Sequence, residues 1–190
     1  MKVYVASSWR NLLQPAIVSV LRSVGHEVYD FKNPAPGNNG FGWREIHPDW
    51  QNWTPQEYRD ALEHPIAKAG FECDMNALRE CDACVLVLPS GRSASWEFGW
   101  ALGNGKQGAV VMLDKCEPEL MYLGNPILTT MDEVFDWAGE PQQVASSALG
   151  FCGKPLLSWF CCGTRSKRRK EKSLYRSSKR TSPMRFLLLI

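Results

Sequence analysis

The chain has 190 residues, a hydrophobic content of 44% and a formal net charge of +2, which suit one globular domain with an appendage. The charge is uneven, because residues 1–150 contain 11 Lys and Arg against 19 Asp and Glu, whereas residues 151–190 contain 11 against one. No apolar run approaches the roughly 20 residues that a membrane-spanning helix needs, and seven cysteines, an odd number, argue against a disulfide framework.

The first elements alternate between strand and helix. Residues 2–6 form a short apolar run that predicts a buried strand, and residues 12–24 have an apolar face typical of a helix that ends at Gly25. Residues 27–31 predict a second strand. The chain does not open with the pattern of a signal peptide, so we expect a cytoplasmic protein.

A long loop follows the second strand. Residues 33–53 are rich in Pro, Gly, Asn and Trp, and a loop of this length in a compact domain usually has a function, so we expect it to cover the site. Trp43, Trp50 and Trp53 suit two interpretations, stacking on a planar base or packing in a satellite core. Both stay open at this point.

The next two predicted helices lead to a first candidate carboxylate. Thr54, Pro55 and Glu57 form a capping box with proline at the first helical position. A second helix begins after Pro65 and carries Asp74. In this helix the residues at i, i+3, i+4 and i+7 are Phe71, Asp74, Met75 and Leu78. Asp74 therefore points with the apolar face, whereas Glu72 and Glu80 fall off that stripe and are expected to be solvated.

A second inward carboxylate lies on the following helix. Residues 83–88 predict a fully buried strand, after which Glu97 is the only charged residue between Arg92 and Lys106. Ser93 is the predicted helix cap and Gly103 or Gly105 the predicted end. Glu97 lies in a stripe with Ala94, Phe98 and Ala101. Burying an unpaired carboxylate costs several kcal/mol, so a chemical role is a reasonable interpretation, and an acid that satisfies the helix end is the alternative. The helix dipole is expected to favour its ionised form.

The remaining elements complete the predicted fold. Residues 109–113 and 127–130 predict strands, residues 117–123 a turn, and residues 132–144 a helix. Alternation of strands and helices predicts an α/β fold, flavodoxin-like or Rossmann-like, with a parallel sheet of about five strands and helices on both faces. Its domain would span residues 1–145, followed by a basic C-terminal tail, residues 146–190, predicted to be disordered.

Four stretches resemble the nucleoside 2-deoxyribosyltransferase family. Residues 1–9 resemble its first strand and turn, and residues 73–82 its D-x-x-x-L-x-x-C/N-D stretch. Residues 89–106 resemble the signature G-R-S-A-x-x-E-x-G-x-A-x-G-x-G-K, and residues 117–122 a later active-site loop. The resemblance covers roughly residues 1–138.

The resemblance implies a double displacement at an anomeric carbon. Glu97 would attack C1′ of a nucleoside, and the glycosyl-glutamate intermediate would be captured by another base or by water. Asp74 would exchange the proton of the nucleobase, and Tyr4 would orient the nucleophile. Trp9 and Met121 match positions that line the base and sugar. From the residues alone, N-glycosidic cleavage needs a protonated leaving base opposite a carboxylate, which suits two inward acids.

One departure favours phosphorylated substrates. No acid stands in residues 90–93, where the transferases of free nucleosides have one. Arg10 matches a phosphate-contacting arginine of the nucleotide-hydrolysing branch, with a solvated surface residue as the alternative. Hydroxyls, helix-start amides and arginines suit a 5′-phosphate. The expected substrate-binding residues are Ser7, Trp9, Arg10, Ser90, Gly91, Arg92, Ser93, Glu119 and Met121.

No cofactor or metal is expected. Neither a G-x-G-x-x-G nor a P-loop motif occurs, and Cys81-x-x-Cys84 has no matching second pair; Cys73, Cys81, Cys84 and Cys116 are expected to be small buried residues. The family implies a homo-oligomer, and a solvated tail is favoured over contact with nucleic acid or an anionic surface. Two alternatives remain, an NAD-cleaving domain that also uses a glutamate, and a non-catalytic nucleotide-binding module.

Overall fold

The computed structural model describes residues 1–139, which contain a five-stranded parallel sheet. Its strands pair in the order β2-β1-β3-β4-β5, the order of flavodoxin-like folds. They are β1 (Lys2–Ala6), β2 (Glu27–Asp30), β3 (Ala83–Val87), β4 (Gln107–Val111) and β5 (Ile127–Leu128). The predicted fold class is therefore confirmed.

α-Helices connect the first four strands, a segment with a short 3-10 helix leads from β4 to β5, and a last α-helix follows β5. The α-helices are α1 (Gln14–Ser23), α2 (Pro55–Ala61), α3 (Pro65–Glu80), α4 (Arg92–Gly103) and α5 (Met131–Gly139). The predicted capping box of α2 is confirmed, because the amide of Glu57 donates to the Thr54 hydroxyl and the Glu57 carboxylate accepts from the amide of Thr54.

The two faces of the sheet have separate apolar cores. Val3 and Val5 of β1 face one core, which α1 and α5 cover, whereas Tyr4 and Ala6 face the other, which α3 and α4 cover. Because side chains alternate along a strand, the residues of β1 are divided between the two cores. This division confirms the prediction of helices on both faces, and it assigns Tyr4, Asp74 and Glu97 to one side of the sheet.

β4 begins at Gln107, two residues earlier than predicted, and includes Gly108. A glycine is needed at this position because side chains of α4 leave no room for a Cβ atom. A Cβ atom at Gly108 would lie 2.5 Å from Leu102 Cδ2 and 2.9 Å from Phe98 Cε2. A glycine is usually a weak strand residue, which explains why the sequence pattern placed the start of the strand after it.

The start of α4 differs from the prediction. Gly91 is the residue before the helix and offers no side-chain cap, whereas Ser93 is already the second helical residue, so its predicted capping role is wrong. The end of α4 agrees with the prediction. Gly105 follows it with φ +75°, a backbone conformation that glycine adopts without strain.

Several predictions about single residues are tested by burial. Phe71 is 55% exposed and so does not belong to the apolar face of α3, while Met75 and Leu78 are buried. Cys81 and Cys84 are buried as expected, but Cys73 and Cys116 are only partly buried. Within residues 1–139, no cluster of three or more His, Cys, Asp or Glu side chains could hold a metal ion.

Two further predictions concern the chain as a whole. None of the helices among residues 1–139 is long and apolar enough to cross a membrane. The predicted tail, residues 146–190, lies outside the described residues, as does the last part of the helix predicted over residues 132–144.

Candidate active site

Two stacked tyrosine rings lie where the candidate site meets the sheet. Tyr4 of β1 and Tyr29 of β2 are paired in register, so their side chains leave the sheet on the same face. Their ring centroids lie 5.1 Å apart and their planes differ by 18°. The stack fixes the two hydroxyl groups beside each other on the side of the sheet that α3 and α4 cover.

The hydroxyl of Tyr4 is buried and makes no hydrogen bond of standard geometry. Tyr4 is 0% exposed, and within residues 1–139 its hydroxyl has no partner at hydrogen-bond geometry, although it lies close enough to Glu97 to stabilise the charged carboxylate. Leaving such a group unsatisfied costs about 1–3 kcal/mol. Burial raises its pKa, and the charges of Glu97 and Asp74 raise that pKa further. The hydroxyl therefore stays protonated while lying within electrostatic reach of both carboxyl groups.

Asp74 projects from α3 toward the second tyrosine. The Tyr29 hydroxyl donates to Asp74 Oδ1 at 2.8 Å, and Cys73 Sγ is an alternative acceptor at 3.2 Å. Burial raises the pKa of Asp74, and the hydrogen bond from Tyr29 opposes this rise. Burial also raises the pKa of Tyr29, so Tyr29 remains a donor.

Glu97 lies further from the start of α4 than the sequence predicted, because the helix begins at Arg92. It is the sixth residue of the helix, whereas the dipole acts mainly over the first turn. Its pKa is raised to about 7, first by burial and then by the charge of Asp74, while Tyr4 lowers it. The predicted effect of the dipole in favour of ionised Glu97 is therefore weaker at this position, and burial shifts the pKa of Glu97 in the opposite direction.

Glu97 and Asp74 form a pair of acids, and the Tyr4 hydroxyl interacts electrostatically with both. Burial raises the pKa of Asp74 above its ordinary value and that of Glu97 to about 7, and a pair of interacting acids loses its protons in two joint steps. Near neutral pH the pair can hold one proton, which leaves one carboxylate and one acid. Nucleophile and proton donor are the two roles that such a pair can divide.

A cavity of about 220 Å³ has Tyr29 and Asp74 in its wall, whereas Glu97 and Tyr4 do not line it. Residues from the loop 33–53 form one side and residues of α3 the other. The prediction that this loop covers a site agrees with the cavity. The other lining residues are Phe31, Pro34, Asn38, Gly40, Phe41, Glu45, Ile66, Ala69, Gly70 and Cys73.

The loop tryptophans pack against other aromatic rings outside the cavity. Trp43 makes edge-on contacts with Trp53 at 5.6 Å and with Tyr58 at 5.7 Å between ring centroids. Phe41 connects the two regions, since it lines the cavity and contacts Trp43 at 4.8 Å. For Trp43 and Trp53 the geometry favours the satellite core over stacking on a ligand.

The segment after β1 is tied to the end of β3. Ser7 Oγ donates to the carbonyl of Val87 at 2.9 Å, so the hydroxyl predicted to bind substrate already has an acceptor. Asn11, which the sequence analysis did not identify, donates from Nδ2 to the carbonyls of Val87 and Pro89, each at 3.2 Å. These bonds hold the turn that leads to α4.

Trp9 and Arg10 lie at the rim. Trp9 is 52% exposed and contacts Phe31 edge-on, with 5.2 Å between ring centroids. Because Phe31 lines the cavity, Trp9 borders the site without entering it. Arg10 is exposed, and its guanidinium has no hydrogen bond or ion pair among the described residues.

The start of α4 presents polar groups to solvent. Arg92 and Ser93 are exposed, and Gly91 supplies no side-chain cap to the amides of the first turn. Ser90 Oγ lies 3.4 Å from Ser95 Oγ. Uncapped amides at a helix start attract anions, so this end of α4 is chemically suited to a phosphate.

Of the predicted site residues, Asp74 alone lines the cavity, and two of the others lie on the surface. Glu119 is exposed, and Met121, in a short 3-10 helix over Leu120–Tyr122, is 83% exposed. Neither lines the cavity.

Tyr29 is the site residue that sequence reasoning missed. Its signal was present in the pattern of β2, where Val28 and Asp30 are buried against the α1 face. Strand alternation then directs Tyr29 to the face that carries Tyr4. Recognising it required the pairing of β1 with β2, which the sequence did not specify.

Comparison with known proteins gives a distant similarity to solved structures. The sequence matches no protein-family model, and no curated protein matches it. Among solved structures, the chain is similar to a 2-deoxyribosyltransferase from the psychrotolerant bacterium Bacillus psychrosaccharolyticus, with 21% identity and a TM-score of 0.46. The match covers 72% of this chain and 91% of the other. At this distance the similarity carries no argument about activity.

Proposed function

We propose that this chain cleaves the N-glycosidic bond of nucleosides or their 5′-monophosphates through a covalent intermediate on Glu97. The observation that carries the proposal is the cluster of buried Tyr4 with the partly buried carboxyl groups of Glu97 and Asp74, of which Asp74 lines a cavity. The cluster combines two carboxyl groups of raised pKa with a buried hydroxyl that makes no hydrogen bond of standard geometry. These features destabilise the folded protein, so a catalytic role explains them better than a structural role does.

The reactive form in this proposal has Glu97 ionised and Asp74 protonated. Because the charge of Asp74 raises the pKa of Glu97 in the free protein, the proton of the pair must pass from Glu97 to Asp74 before the reaction begins. A carboxylate oxygen of Glu97 forms a bond to C1′ while the C1′–N bond breaks and its electron pair stays on the base nitrogen. Asp74 gives its proton to the departing base. The product of this half-reaction is a glycosyl ester of Glu97 and a free base.

The second half-reaction releases Glu97. A second base or a water molecule attacks C1′, Asp74 accepts the proton of the attacking group, and the ester bond to Glu97 breaks. A base as acceptor makes the chain a transferase, and water makes it a hydrolase.

Tyr4 orients the nucleophile in this proposal. Its hydroxyl is fixed by the stack with Tyr29 and lies close enough to Glu97 to favour the charged form. It makes no hydrogen bond of standard geometry in the free protein. Such bonds are often long in the absence of substrate and shorten in the complex.

The cavity beside Asp74 is the proposed site of the base. Its wall combines the rings of Phe31 and Phe41 with the carboxyl groups of Asp74 and Glu45. Rings stack on planar heterocycles, while carboxyl groups accept from ring and exocyclic NH groups. The proton donor would then lie next to the leaving nitrogen.

The start of α4 is the proposed site of a 5′-phosphate. Gly91 leaves the first-turn amides without a side-chain cap, and Arg92, Ser93 and Arg10 are exposed. These donors suit a phosphate dianion better than a neutral hydroxyl. This supports monophosphates as substrates.

Product analysis tests the proposal. Purified protein is incubated with nucleosides, 2′-deoxynucleosides, their 5′-monophosphates and NAD, each with and without a second free base. We expect base release to fall at least about a thousandfold in Glu97→Gln, because the amide cannot form the ester. Glu72→Gln is the matched control, since Glu72 is exposed and pairs only with Arg79.

Each outcome has a defined meaning. Release of base from monophosphates alone supports the phosphate site, and new nucleosides formed only with acceptor base support transfer. Release of nicotinamide without cleavage of any nucleotide would favour the NAD-cleaving alternative. Binding without any turnover would contradict the proposal and leave a non-catalytic nucleotide-binding module.

A further inference from the structure

Tyr29 engages one of the two oxygens of Asp74. Its hydroxyl donates to Oδ1 at 2.8 Å, and within residues 1–139 no other group donates a hydrogen bond to this carboxyl. Oδ2 is therefore the oxygen without a donor. A carboxyl group with one oxygen engaged can exchange a proton through the other.

The position of the Tyr29 hydroxyl is fixed from several sides. Its ring stacks on Tyr4, its backbone is paired in the sheet, and its side chain forms part of the cavity wall together with Asp74. Among residues 1–139 the hydroxyl has one other acceptor, Cys73 Sγ, and sulfur is the weaker of the two. Asp74 Oδ1 is therefore the preferred partner.

We propose that Tyr29 is a positioning residue that holds Asp74 by Oδ1 and so assigns the exchange of the base proton to Oδ2. The inference rests on the proposed function. When the C1′–N bond breaks, the Oδ2–H bond breaks and an N–H bond forms on the base, with the C1′–N electron pair remaining on that base. Asp74 becomes a carboxylate, and the Tyr29 hydrogen bond stabilises the charge that develops on it.

Several titratable groups surround Asp74 and share any pH readout. They are Tyr29 of β2, Tyr4 of β1, Glu97 of α4, Cys73 of α3 and Glu45 of the cavity wall. Tyr29→Phe is the informative change because it retains the ring that stacks on Tyr4 and removes only the donor.

The first test is the pH profile of Tyr29→Phe with the substrate that wild type cleaves best. We expect kcat to fall about tenfold with KM changed less than about twofold, since the acid is misplaced but binding is not. The profile should move to higher pH, because carboxylate Asp74 loses its donor. Tyr58→Phe is the matched control, since Tyr58 packs on Trp43 in the satellite core, and its profile should match wild type.

The second test needs no turnover. The Asp74 carboxyl carbon is followed by NMR during a pH titration of 13C-aspartate-labelled protein, with Asp74→Asn used to assign the signal. We expect its midpoint to rise in Tyr29→Phe and to stay at the wild-type value in Tyr58→Phe. An unchanged midpoint together with an unchanged pH profile would overturn the inference. If wild type cleaves nothing, the proposed function fails, and the titration alone decides whether Tyr29 controls Asp74.

Discussion

At the scale of single residues, the ionised form of Glu97 destabilises the folded protein. Its pKa is about 7 in the folded protein, against an ordinary value of 4.5. The folded state therefore binds the proton more tightly than the unfolded state. The stabilisation from the protonated form is fully present below about pH 4.5 and is lost as the pH rises through about 7. At alkaline pH, a pKa shift of this size lowers the free energy of unfolding by about 3 kcal/mol.

A neutral glutamine should remove this penalty. We expect Glu97→Gln to raise the free energy of unfolding by up to about 3 kcal/mol at pH 8 and to change it little at pH 4.5. Urea unfolding at both pH values measures the difference. Glu72→Gln, a change at an exposed site, should show no comparable pH dependence. An effect of Glu97→Gln that is equal at the two pH values would show that the carboxylate is not strained by burial.

At the scale of elements, the contact between α4 and β4 determines where Glu97 sits. Gly108 allows this contact, because any Cβ would press on Leu102 and Phe98 of α4. Phe98 follows Glu97 directly in the helix, so a displacement of one moves the other.

Two glycine-to-alanine changes separate packing from helix propensity. Gly108→Ala should lower the free energy of unfolding by about 1–3 kcal/mol through overpacking. Gly99→Ala, on an exposed position of α4 with nothing within 4 Å of the added Cβ, should raise it by about 0.5–1 kcal/mol. Chemical denaturation of both variants checks the pair. Stabilisation by Gly108→Ala would mean that α4 can move away from the sheet without cost.

Local patterns explain why most elements could be predicted. The apolar stripe of α4 and the buried run of β3 involve neighbours in sequence, so periodicity is sufficient to identify them. The exposure of Phe71 could not be predicted in this way. A helical stripe shows which residues share a side, but not how far the opposing sheet extends along it.

At the scale of the molecule, the sheet and both of its cores are contained within residues 1–139. The predicted domain boundary at residue 145 gives a direct experiment. A chain ending at residue 145 should unfold at the same urea concentration as the full chain, since both cores are intact. It should also keep the full-length activity if residues 146–190 are an appendage. Loss of activity with unchanged stability would assign a part in the reaction to the tail.

The homo-oligomer stays a prediction at this scale. Leu120, Met121 and Leu123 are each at least 80% exposed, which is unusual for adjacent large apolar side chains. The cytoplasmic location also stays a prediction.

The sequence by itself determined the alternation of strands and helices and the inward direction of Glu97 and Asp74. Both depend on the spacing of neighbouring residues, which is a local property of helices and strands. The hydrogen bond from Tyr29 to Asp74 and the burial of the Tyr4 hydroxyl beside Glu97 became visible only in the folded chain. The tertiary structure also decided that desolvation raises the pKa of Glu97. These features depend on strand order, pairing register and the depth of burial, which bring together residues that lie far apart along the chain.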